Sequence, residues 1–402
     1  MKRDFIFFSE SVTEGHPDKL CDQISDAIVD RFLQEDFSSA IVAECAVSTG
    51  IVFIAARFVS DAVVDVSQVA RSKIADVGYD QADFNPRTCT IVTSLKELPP
   101  EARLRFDEEG MSTEDFDAIP VRNAVTAFGF ACDQTPSLMP VPIYLAHQFA
   151  RRLTFVRRER ILAYLMADGT VQVGVEYRDR RPLRVHSITI VAGHGASAVS
   201  DKLNSTRLTS EMREAVIEPV LKDTELCADR ETQIYVNPED AFMAGGPALH
   251  SGLTGRKNAI DTYGEYSRHS GSALSGKDPS RIDRVAAYVA RYAAKNVVAA
   301  GLASECEVQL SYMIGLAHPV SLQVETFNTG VIDEGRIADL LPKFFDFRLG
   351  GILKEFTLRL LPSAGKDGFY QRLAAYGHMG RSDLEVPWEK TDKAELLAEF
   401  KA

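Results

Sequence analysis

The sequence predicts an α+β protein made of three similar domains. A succession of hairpin, helix and strand occurs along the chain, and its hairpins begin near residues 41, 172 and 307. The two intervals between these starts, 131 and 135 residues, are nearly equal. Each domain is expected to be a mixed sheet covered by helices on one face, because layers of this kind bury one side of a sheet.

Alternation of apolar residues at every second position predicts the strands, and repetition near every fourth position predicts the helices. The first domain contains the hairpin AIVAECAVST–IVFIAARFV, the helix VVDVSQVARSKIADVG and the strand CTIVTS. The second contains the hairpin VQVGVEY–LRVHSITIV, the helix TSEMREAVIEPVLKD and the strand QIYVNP. The third contains the hairpin CEVQLSYMIGLA–SLQVETFN, followed by the helix DEGRIADLLPKFFDF.

We place the domain boundaries at residues 1–110, 118–238 and 239–402. Residues 94–127 fit neither periodicity, because they are rich in charge and contain consecutive prolines. A segment of this length without regular structure is either a functional lid or a disordered connection. The sequence leaves these two interpretations open.

Composition limits the classes of function. The chain has 402 residues, 45% of them hydrophobic and 25% charged, as in soluble globular proteins. Its net charge of −12 argues against general nucleic-acid binding. No apolar run predicts a membrane span or a secretory signal. The six cysteines are scattered without metal-type spacing, which predicts reduced thiols and a cytoplasmic location.

The segment EGHPDK, residues 14–19, precedes an amphipathic run of helical period. Pro17 suits the first helical position, where its missing N–H costs nothing. His16 and Asp18 should therefore lie at a helix N-terminus, where free N–H groups and the helix dipole attract anions. Asp18 either favours the dipole or holds a metal ion whose other ligands are phosphate oxygens.

A second helix N-terminus follows the glycine-rich segment 242–283. Glycine lets backbone N–H groups approach an anion closely, and nearby cations balance its charge. The cations of this segment are Arg256, Lys257, Lys277 and Arg281. Two helix N-termini with basic neighbours indicate a polyphosphate ligand. The alternative is a glycine-rich surface loop with solvated charges, and short motifs do not exclude it.

Long stretches of the chain resemble the S-adenosylmethionine synthetase (methionine adenosyltransferase) family. The motifs that carry the resemblance are SESVTEGHPDKLCDQISDAIVD, GLTGRK, DTYG, SGKDPSRIDRVAAYVARYAAKNVVAAGLA and AAYGHMGRSDLEVPWEKTD. The similarity extends from about Phe7 to Asp392. It implies three domains related by pseudo-threefold symmetry. It also implies a dimer or a tetramer, with active sites between subunits.

The resemblance implies an ATP-dependent adenosyl transfer. In this family the methionine sulfur attacks C5′ of ATP, and the triphosphate leaves and is hydrolysed to phosphate and diphosphate. The product is S-adenosylmethionine. A leaving group with several negative charges requires metal ions and cations directed at it. The resemblance implies two Mg²⁺ ions for each site, and K⁺ as a further ion.

The resemblance also assigns roles to individual residues. His16 is expected to stabilise the leaving oxygen, with Lys277 and Arg256 as further catalytic cations. Asp18 and Asp283 match magnesium ligands, and Glu44 matches a potassium ligand. The positions that match nucleotide contacts are His16, Asp168, Phe242, Arg256, Lys257, Ala273 and Lys277. Phe242 would pack on adenine, and residues 98–110 would form a mobile gate. Taken singly, Glu44 also fits an exposed strand residue and Phe242 an ordinary core aromatic.

The chain departs from the family pattern around the amino acid. The six departing positions are Arg57, Leu98, Asn123, Thr170, His250 and Arg281. Arg57, Asn123 and His250 replace acidic residues, so a buried ammonium would lose favourable charge there. Two alternatives to a methionine adenosyltransferase follow. The acceptor could be another thioether or thiol that bears a carboxylate, or the chain could be a non-catalytic ATP-binding subunit.

Overall fold

The computed structural model describes residues 4–104, 106, 110–195, 205–224, 226, 228–238 and 245–401. The strands in these ranges are β1 (Phe5–Val12), β2 (Ala40–Ser48), β3 (Ile51–Val59), β4 (Thr90–Glu97), β5 (Val125–Cys132), β6 (Leu165–Arg178), β7 (Arg181–His194), β8 (Gln233–Val236), β9 (Gly252–Leu253), β10 (Glu305–Tyr312) and β11 (Ser321–Glu325).

Eleven α-helices lie within the described ranges. The helices in order are α1 (Pro17–Glu35), α2 (Val66–Val77), α3 (Val141–Arg158), α4 (Ser205–Met212), α5 (Glu218–Lys222), α6 (Asn258–Asp261), α7 (Ile282–Ala299), α8 (Glu334–Phe344), α9 (Leu349–Phe356), α10 (Tyr370–Leu373) and α11 (Ala394–Ala398). Across the described ranges, none of these helices has both the length and the apolar character needed to cross a membrane.

Three sheets confirm the predicted α+β architecture. Their strand orders are β4-β3-β2-β9, β1-β6-β7-β8 and β11-β10-β5. The three predicted hairpins are the antiparallel pairs β2–β3, β6–β7 and β10–β11. The first two sheets are mixed, because β3–β4 and β7–β8 are parallel. The third is antiparallel throughout the described residues, since no parallel strand follows its helix there.

Each sheet takes one strand from a different part of the chain. Strand β1 pairs with β6, β5 pairs with β10, and β9 pairs with β2. The three predicted segments 1–110, 118–238 and 239–402 therefore exchange strands in a cycle. Their boundaries remain a prediction about units along the chain, and the sheets cross them.

Helix α1 is buried on nearly all sides. It begins at Pro17, as predicted, and the side chain of His16 caps it. Leu20, Ile24 and Ile28 are fully buried at helical spacing, and the helix packs on β2. This burial places the N-terminus of α1 between the first and second sheets.

Four aspartates, spaced four residues apart on α1, are all buried. Residues at this spacing share one face of a helix. We call Asp18, Asp22, Asp26 and Asp30 the aspartate row. Its carboxylates accept backbone N–H groups of Leu253 (3.0 Å), Gly255 (2.8 Å), Gly276 (2.8 Å), Tyr370 (2.9 Å) and Gln371 (3.0 Å), in chain order. The row thus fixes three distant loops on one helix.

The first sheet has one covered face and one open face. Ile41, Cys45 and Ile54 are buried on the covered face, which packs on α1. The other face exposes four apolar side chains, each between 43% and 49% accessible: Ile51, Phe53, Val92 and Leu253. We call these four residues the apolar open face. Apolar surface of this kind is typical of an interaction site.

Candidate active site

The N-terminus of α1 lies directly on strand β6 of the second sheet. The backbone N–H of Thr13 donates to the carbonyl of Gly169 at 2.9 Å, and its hydroxyl donates to the carbonyl of Ala167 at 2.6 Å. These bonds hold His16 beside Asp168. Nδ1 of His16 accepts the backbone N–H of Asp18 at 3.2 Å, which leaves Nε2 as the proton-bearing nitrogen of the neutral ring.

Asp168 joins two other groups at this point. Its Oδ2 accepts the backbone N–H of Gly246 at 2.7 Å and lies 2.8 Å from Nε2 of His250. The ring centres of His16 and His250 are 5.0 Å apart. The hydrogen bond to Asp168 raises the pKa of His250. Burial lowers the pKa of His16 to about 4, although Asp168 and Asp18 act in the opposite direction.

The GLTGRK loop covers the same helix end. Asp18 accepts the N–H of Leu253, and only glycine fits at Gly252 because an added Cβ would lie 2.1 Å from the carbonyl oxygen of Pro17. This loop brings two predicted cations to the site. Arg256 Nη1 lies 3.5 Å from Asp18 Oδ1, and Lys257 Nζ lies 2.9 Å from Glu10 Oε1.

Six predicted residues therefore gather at the N-terminus of α1. We call them the amino-terminal cluster: His16, Asp18, Asp168, His250, Arg256 and Lys257. Ala273 packs against the same loop, since a Cβ added at Gly255 would lie 2.5 Å from the Ala273 Cβ. The cluster combines cations with carboxylates at a helix N-terminus, which suits a ligand made of phosphate and metal.

A second group forms at the N-terminus of α7. Lys277 and Asp283 form an ion pair, and Asn123 Nδ2 lies 3.2 Å from Asp283 Oδ1. Arg281 Nη1 is 3.5 Å from Asn123 Oδ1. We call these residues the lysine cluster: Asn123, Lys277, Arg281 and Asp283. The predicted helix N-terminus near the end of the glycine-rich segment is confirmed: α7 begins at Ile282, five residues after Lys277.

A buried ion pair holds the backbone of the lysine cluster in place. Arg284 donates two hydrogen bonds to Asp26, at 2.7 and 3.0 Å, and both side chains are fully buried. Arg284 also donates to the backbone carbonyl of Lys277 at 2.8 Å. Asp26 in turn accepts the N–H of Gly276. Helix α1 therefore positions the backbone of the lysine cluster as well as that of the amino-terminal cluster.

Within one chain the two clusters are separated along strand β2. Lys277 bridges to Val42, whereas Leu253 pairs with Ala46. Four residues of strand span about 13 Å. Glu44 lies between these two positions, with its side chain exposed. Asp18 and Asp283 thus belong to different clusters of the same chain.

The predicted metal ligands fit their ions as single carboxylates. Mg²⁺ is commonly bound by one or two carboxylates together with substrate phosphates. Asp18 at one helix N-terminus and Asp283 at another match this donor type, and both lie beside cations that would contact phosphate. The exposed carboxylate of Glu44 is an oxygen donor, as K⁺ requires.

The remaining predicted positions lie around these clusters or outside the described residues. Arg57 is exposed on β3 opposite Val42, and the N–H of Leu98 donates to the carbonyl of Phe58 at 2.7 Å. Thr170 is half-buried on β6 opposite Val12. Phe242 lies outside the described residues, as do residues 105 and 107–109 of the predicted gate.

Two neighbouring parts of the predicted gate are ordered against the core. Leu104 and Phe106 are buried, and their carbonyls accept hydrogen bonds from Arg359 at 3.3 and 3.2 Å. These contacts attach the middle of the segment to Arg359, which follows α9. The gate function itself remains a prediction.

Sequence reasoning missed the supporting residues beneath the site. Lys19 of the EGHPDK motif is fully buried, where it pairs with Asp22 at 2.9 Å and with Asp261. Asp22, Asp26 and Asp30 were also missed. Their regular spacing of four residues in DKLCDQISDAIVD was the available signal, because it places them on one helix face.

The fold and the two clusters define a three-domain α+β protein with cations and carboxylates gathered at two helix N-termini. Three family models match the chain. They describe the N-terminal domain of S-adenosylmethionine synthetase at residues 4–100, its central domain at residues 118–242 and its C-terminal domain at residues 244–390. The chain belongs to the S-adenosylmethionine synthetase family.

Curated relatives cover the whole chain. An S-adenosylmethionine synthase of Microcystis aeruginosa is 47% identical over 409 residues, which cover 99% of this chain and 98% of the relative. The S-adenosylmethionine synthase of Trichormus variabilis is 48% identical over 408 residues, which cover 99% of this chain and 97% of the relative. The S-adenosylmethionine synthase of Crocosphaera subtropica is 47% identical over 409 residues, which cover 99% of this chain and 98% of the relative.

Proposed function

We propose that the chain forms S-adenosylmethionine from ATP and methionine. The observation that carries this proposal is the placement of Arg256 and Lys277 beside Asp18 and Asp283, at the N-termini of α1 and α7. Curated relatives along the full length carry the name S-adenosylmethionine synthase. The same relatives favour methionine over the other acceptors that the sequence left open.

In the proposed reaction a lone pair of the methionine sulfur forms a bond to C5′ of ATP. The bond between C5′ and its oxygen breaks, and triphosphate leaves with the electron pair. Nε2–H of His16 is available to donate a hydrogen bond to this oxygen, because Nδ1 is occupied by the N–H of Asp18. His16 is neutral at pH 7, since burial lowers its pKa to about 4. It therefore acts as a hydrogen-bond donor.

The cations stabilise the negative charge that develops on the leaving triphosphate. Arg256 and Lys257 would contact it at the amino-terminal cluster, and Lys277 at the lysine cluster. Magnesium ions bound with the nucleotide would neutralise further charge on the phosphate oxygens. Water then attacks the bound triphosphate, and one P–O bond breaks to give phosphate and diphosphate.

We propose that the complete site forms between two chains of a dimer, or of a tetramer built from such dimers. Two features support this proposal: the separation of about 13 Å between the clusters along β2, and the apolar open face beside them. A twofold axis through that face would bring the amino-terminal cluster of one chain toward the lysine cluster of the other.

A cytoplasmic location is proposed from the free cysteines, Cys21, Cys45, Cys89, Cys132 and Cys306.

A product assay tests the reaction. The protein is incubated with ATP, magnesium and methionine, and S-adenosylmethionine, phosphate and diphosphate are measured by mass spectrometry and phosphate detection. We expect Lys277→Met to lower the rate by about 10²–10³, the usual loss when one charge-stabilising group is removed. Lys343→Met, at an exposed position of α8, is the matched control and should leave the rate unchanged.

Hydrolysis of added tripolyphosphate separates the steps. A protein that hydrolyses tripolyphosphate but makes no S-adenosylmethionine would refute methionine as the acceptor and leave the triphosphate site intact. Absence of both activities at every magnesium concentration would refute the catalytic proposal as a whole.

A further inference from the structure

Three potential metal ligands meet in the amino-terminal cluster. One ligand atom from each of His16, Asp168 and His250 lies within 4.8 Å of the other two. Among the described residues, this is the one group of three histidine, cysteine or acidic side chains with such spacing. His16 and Asp168 are buried, and His250 is partly exposed. We call these three residues the histidine triad.

Two imidazoles and one carboxylate form a donor set for a divalent transition metal. Zn²⁺ accepts nitrogen and oxygen ligands, and sites with three protein ligands keep a fourth position open. Mg²⁺ prefers oxygen ligands only, so the histidine triad differs in chemistry from Asp18 and Asp283. We propose that the histidine triad binds one Zn²⁺-type ion in the nucleotide-free protein, and that this ion and ATP exclude each other.

Zinc binding at the histidine triad requires only small movements of the ligand atoms. Zinc bonds of about 2.0–2.2 Å place tetrahedral ligand atoms roughly 3.3–3.6 Å apart. His250 Nε2 and Asp168 Oδ2 are 2.8 Å apart, so the ion would enter between them and replace the shared proton. Asp168 is already oriented by the N–H of Gly246 at 2.7 Å, the kind of outer contact that fixes a metal ligand.

His16 is the ligand that must change most. Coordination through Nε2 requires its proton to move to Nδ1, which ends the hydrogen bond from Asp18 N. The metal ion then occupies the nitrogen that would donate a hydrogen bond to the leaving oxygen of ATP, so the two exclude each other.

The charges around the histidine triad favour a bound cation. Asp18 Oδ2 lies 3.8 Å from His16 Nδ1, and Lys257 is paired with Glu10 at 2.9 Å. Asp168 within the triad and Asp18 beside it therefore offset the charge of a divalent ion. His250 supplies the second nitrogen, and it is a position at which this chain departs from the pattern that its family resemblance implies.

Calorimetric titration of ZnCl₂ into metal-free, nucleotide-free protein tests the site. We expect one ion for each chain, with an affinity on the order of micromolar. His250→Asn and Asp168→Asn should each weaken binding by at least about tenfold, because each removes one of three ligands. His318→Asn, an exposed histidine far along the chain, is the control and should bind as the wild type does. Thermal melting confirms that every variant folds.

A second probe identifies the ligands directly. Co²⁺ bound to nitrogen and oxygen in four-coordination gives visible bands without the thiolate charge-transfer band that cysteine ligands produce. A thiolate band, unaltered binding by His250→Asn, or no zinc bound at about 100 μM would each overturn the proposal.

Competition between zinc and an ATP analogue tests whether the two exclude each other. We expect a non-hydrolysable ATP analogue with magnesium to lower the zinc affinity at least about tenfold in the wild type. Equal zinc affinity with and without the analogue would overturn the exclusion. Zinc binding is measured without methionine or turnover, so a chain that binds zinc but forms no S-adenosylmethionine would refute the proposed reaction and not the site.

Discussion

Arg57 and Lys277 are neighbours of the same residue, Val42, from opposite sides of strand β2. Since adjacent strands are about 4.8 Å apart, the two backbones are separated by roughly 10 Å. The parallel partner of Arg57 on β4 is Lys96. Arg57 and Lys96 therefore add two cations to the part of the first sheet that lies next to the lysine cluster.

Arg57→Glu is expected to improve methionine use. The substitution removes a positive charge from the region proposed to hold the methionine ammonium and replaces it with a negative one. We expect the KM for methionine to fall by about tenfold or more, equivalent to ~1.4 kcal/mol, with little change in the KM for ATP. Steady-state kinetics with each substrate varied in turn measure both values.

Arg87→Glu provides the control for that change. Arg87 is also an exposed arginine of the first domain, in the loop before β4, so the net charge changes equally. If both variants lower the KM for methionine to the same extent, the effect is a general charge effect and the assignment of Arg57 is wrong.

Asp26→Asn should destabilise the protein strongly. Arg284 would lose its carboxylate partner in a fully buried position, and breaking a buried ion pair from one side costs about 3–5 kcal/mol. The midpoint of urea denaturation measures the loss. Asp76→Asn is the comparison, since Asp76 is exposed and pairs with Lys73 at 3.0 Å, and surface pairs contribute about 0–1 kcal/mol. Similar midpoints for the two variants would contradict the role of Asp26.

Gly252→Ala should displace the GLTGRK loop from helix α1. The added Cβ would lie 2.1 Å from the carbonyl oxygen of Pro17, and neither backbone can move without breaking the bond between Leu253 N and Asp18. We expect a loss of about 1–3 kcal/mol in stability and weaker binding of an ATP analogue, measured by melting and calorimetry. Gly365→Ala has no atom within 4 Å of its new Cβ and should leave both unchanged.

The stability of the free protein should fall as the pH drops below about 6.5. His378 is fully buried, and burial together with Arg284 and Lys19 keeps its pKa well below the usual value. In the unfolded chain it has an ordinary pKa near 6.5, so the unfolded state binds a proton that the folded state does not. The free energy of unfolding then falls by up to about 1.4 kcal/mol for each pH unit.

His378→Asn tests that source of pH dependence. The variant loses contacts to Tyr288 and Ser275, so its overall stability is not the readout. The readout is the slope of unfolding free energy between pH 6.5 and 5, which should become shallower. His318→Asn, at an exposed histidine, should keep the wild-type slope, and an unchanged slope in His378→Asn would refute the argument.

Local features of the fold followed from the sequence because each depends on residues close together in the chain. Alternation identified the hairpins β2–β3, β6–β7 and β10–β11, and Pro17 identified the start of α1. The positions of His16 and Lys277 at helix N-termini followed in the same way. These are statements about local periodicity and capping, which a single sequence contains.

Contacts between distant segments did not follow from the sequence. The pairing of β1 with β6, or of β5 with β10, is decided by tertiary packing and leaves no local signal. The contact between His250 and Asp168 joins a loop to a strand 82 positions away. The aspartate row carried a signal in its spacing, but charged residues on one helix face usually indicate solvent, and here the whole face is buried.

The cyclic exchange of strands has a consequence for biosynthesis. Cys132 at the end of β5 pairs with Glu305 at the start of β10, so the third sheet cannot close until the ribosome has added the residues between them. At typical elongation rates this takes roughly 9 to 35 s. During that time a nascent chain exposes unpaired strand edges. We therefore expect its yield in cells to depend on chaperones that shield those edges, and separately expressed thirds of the chain to aggregate.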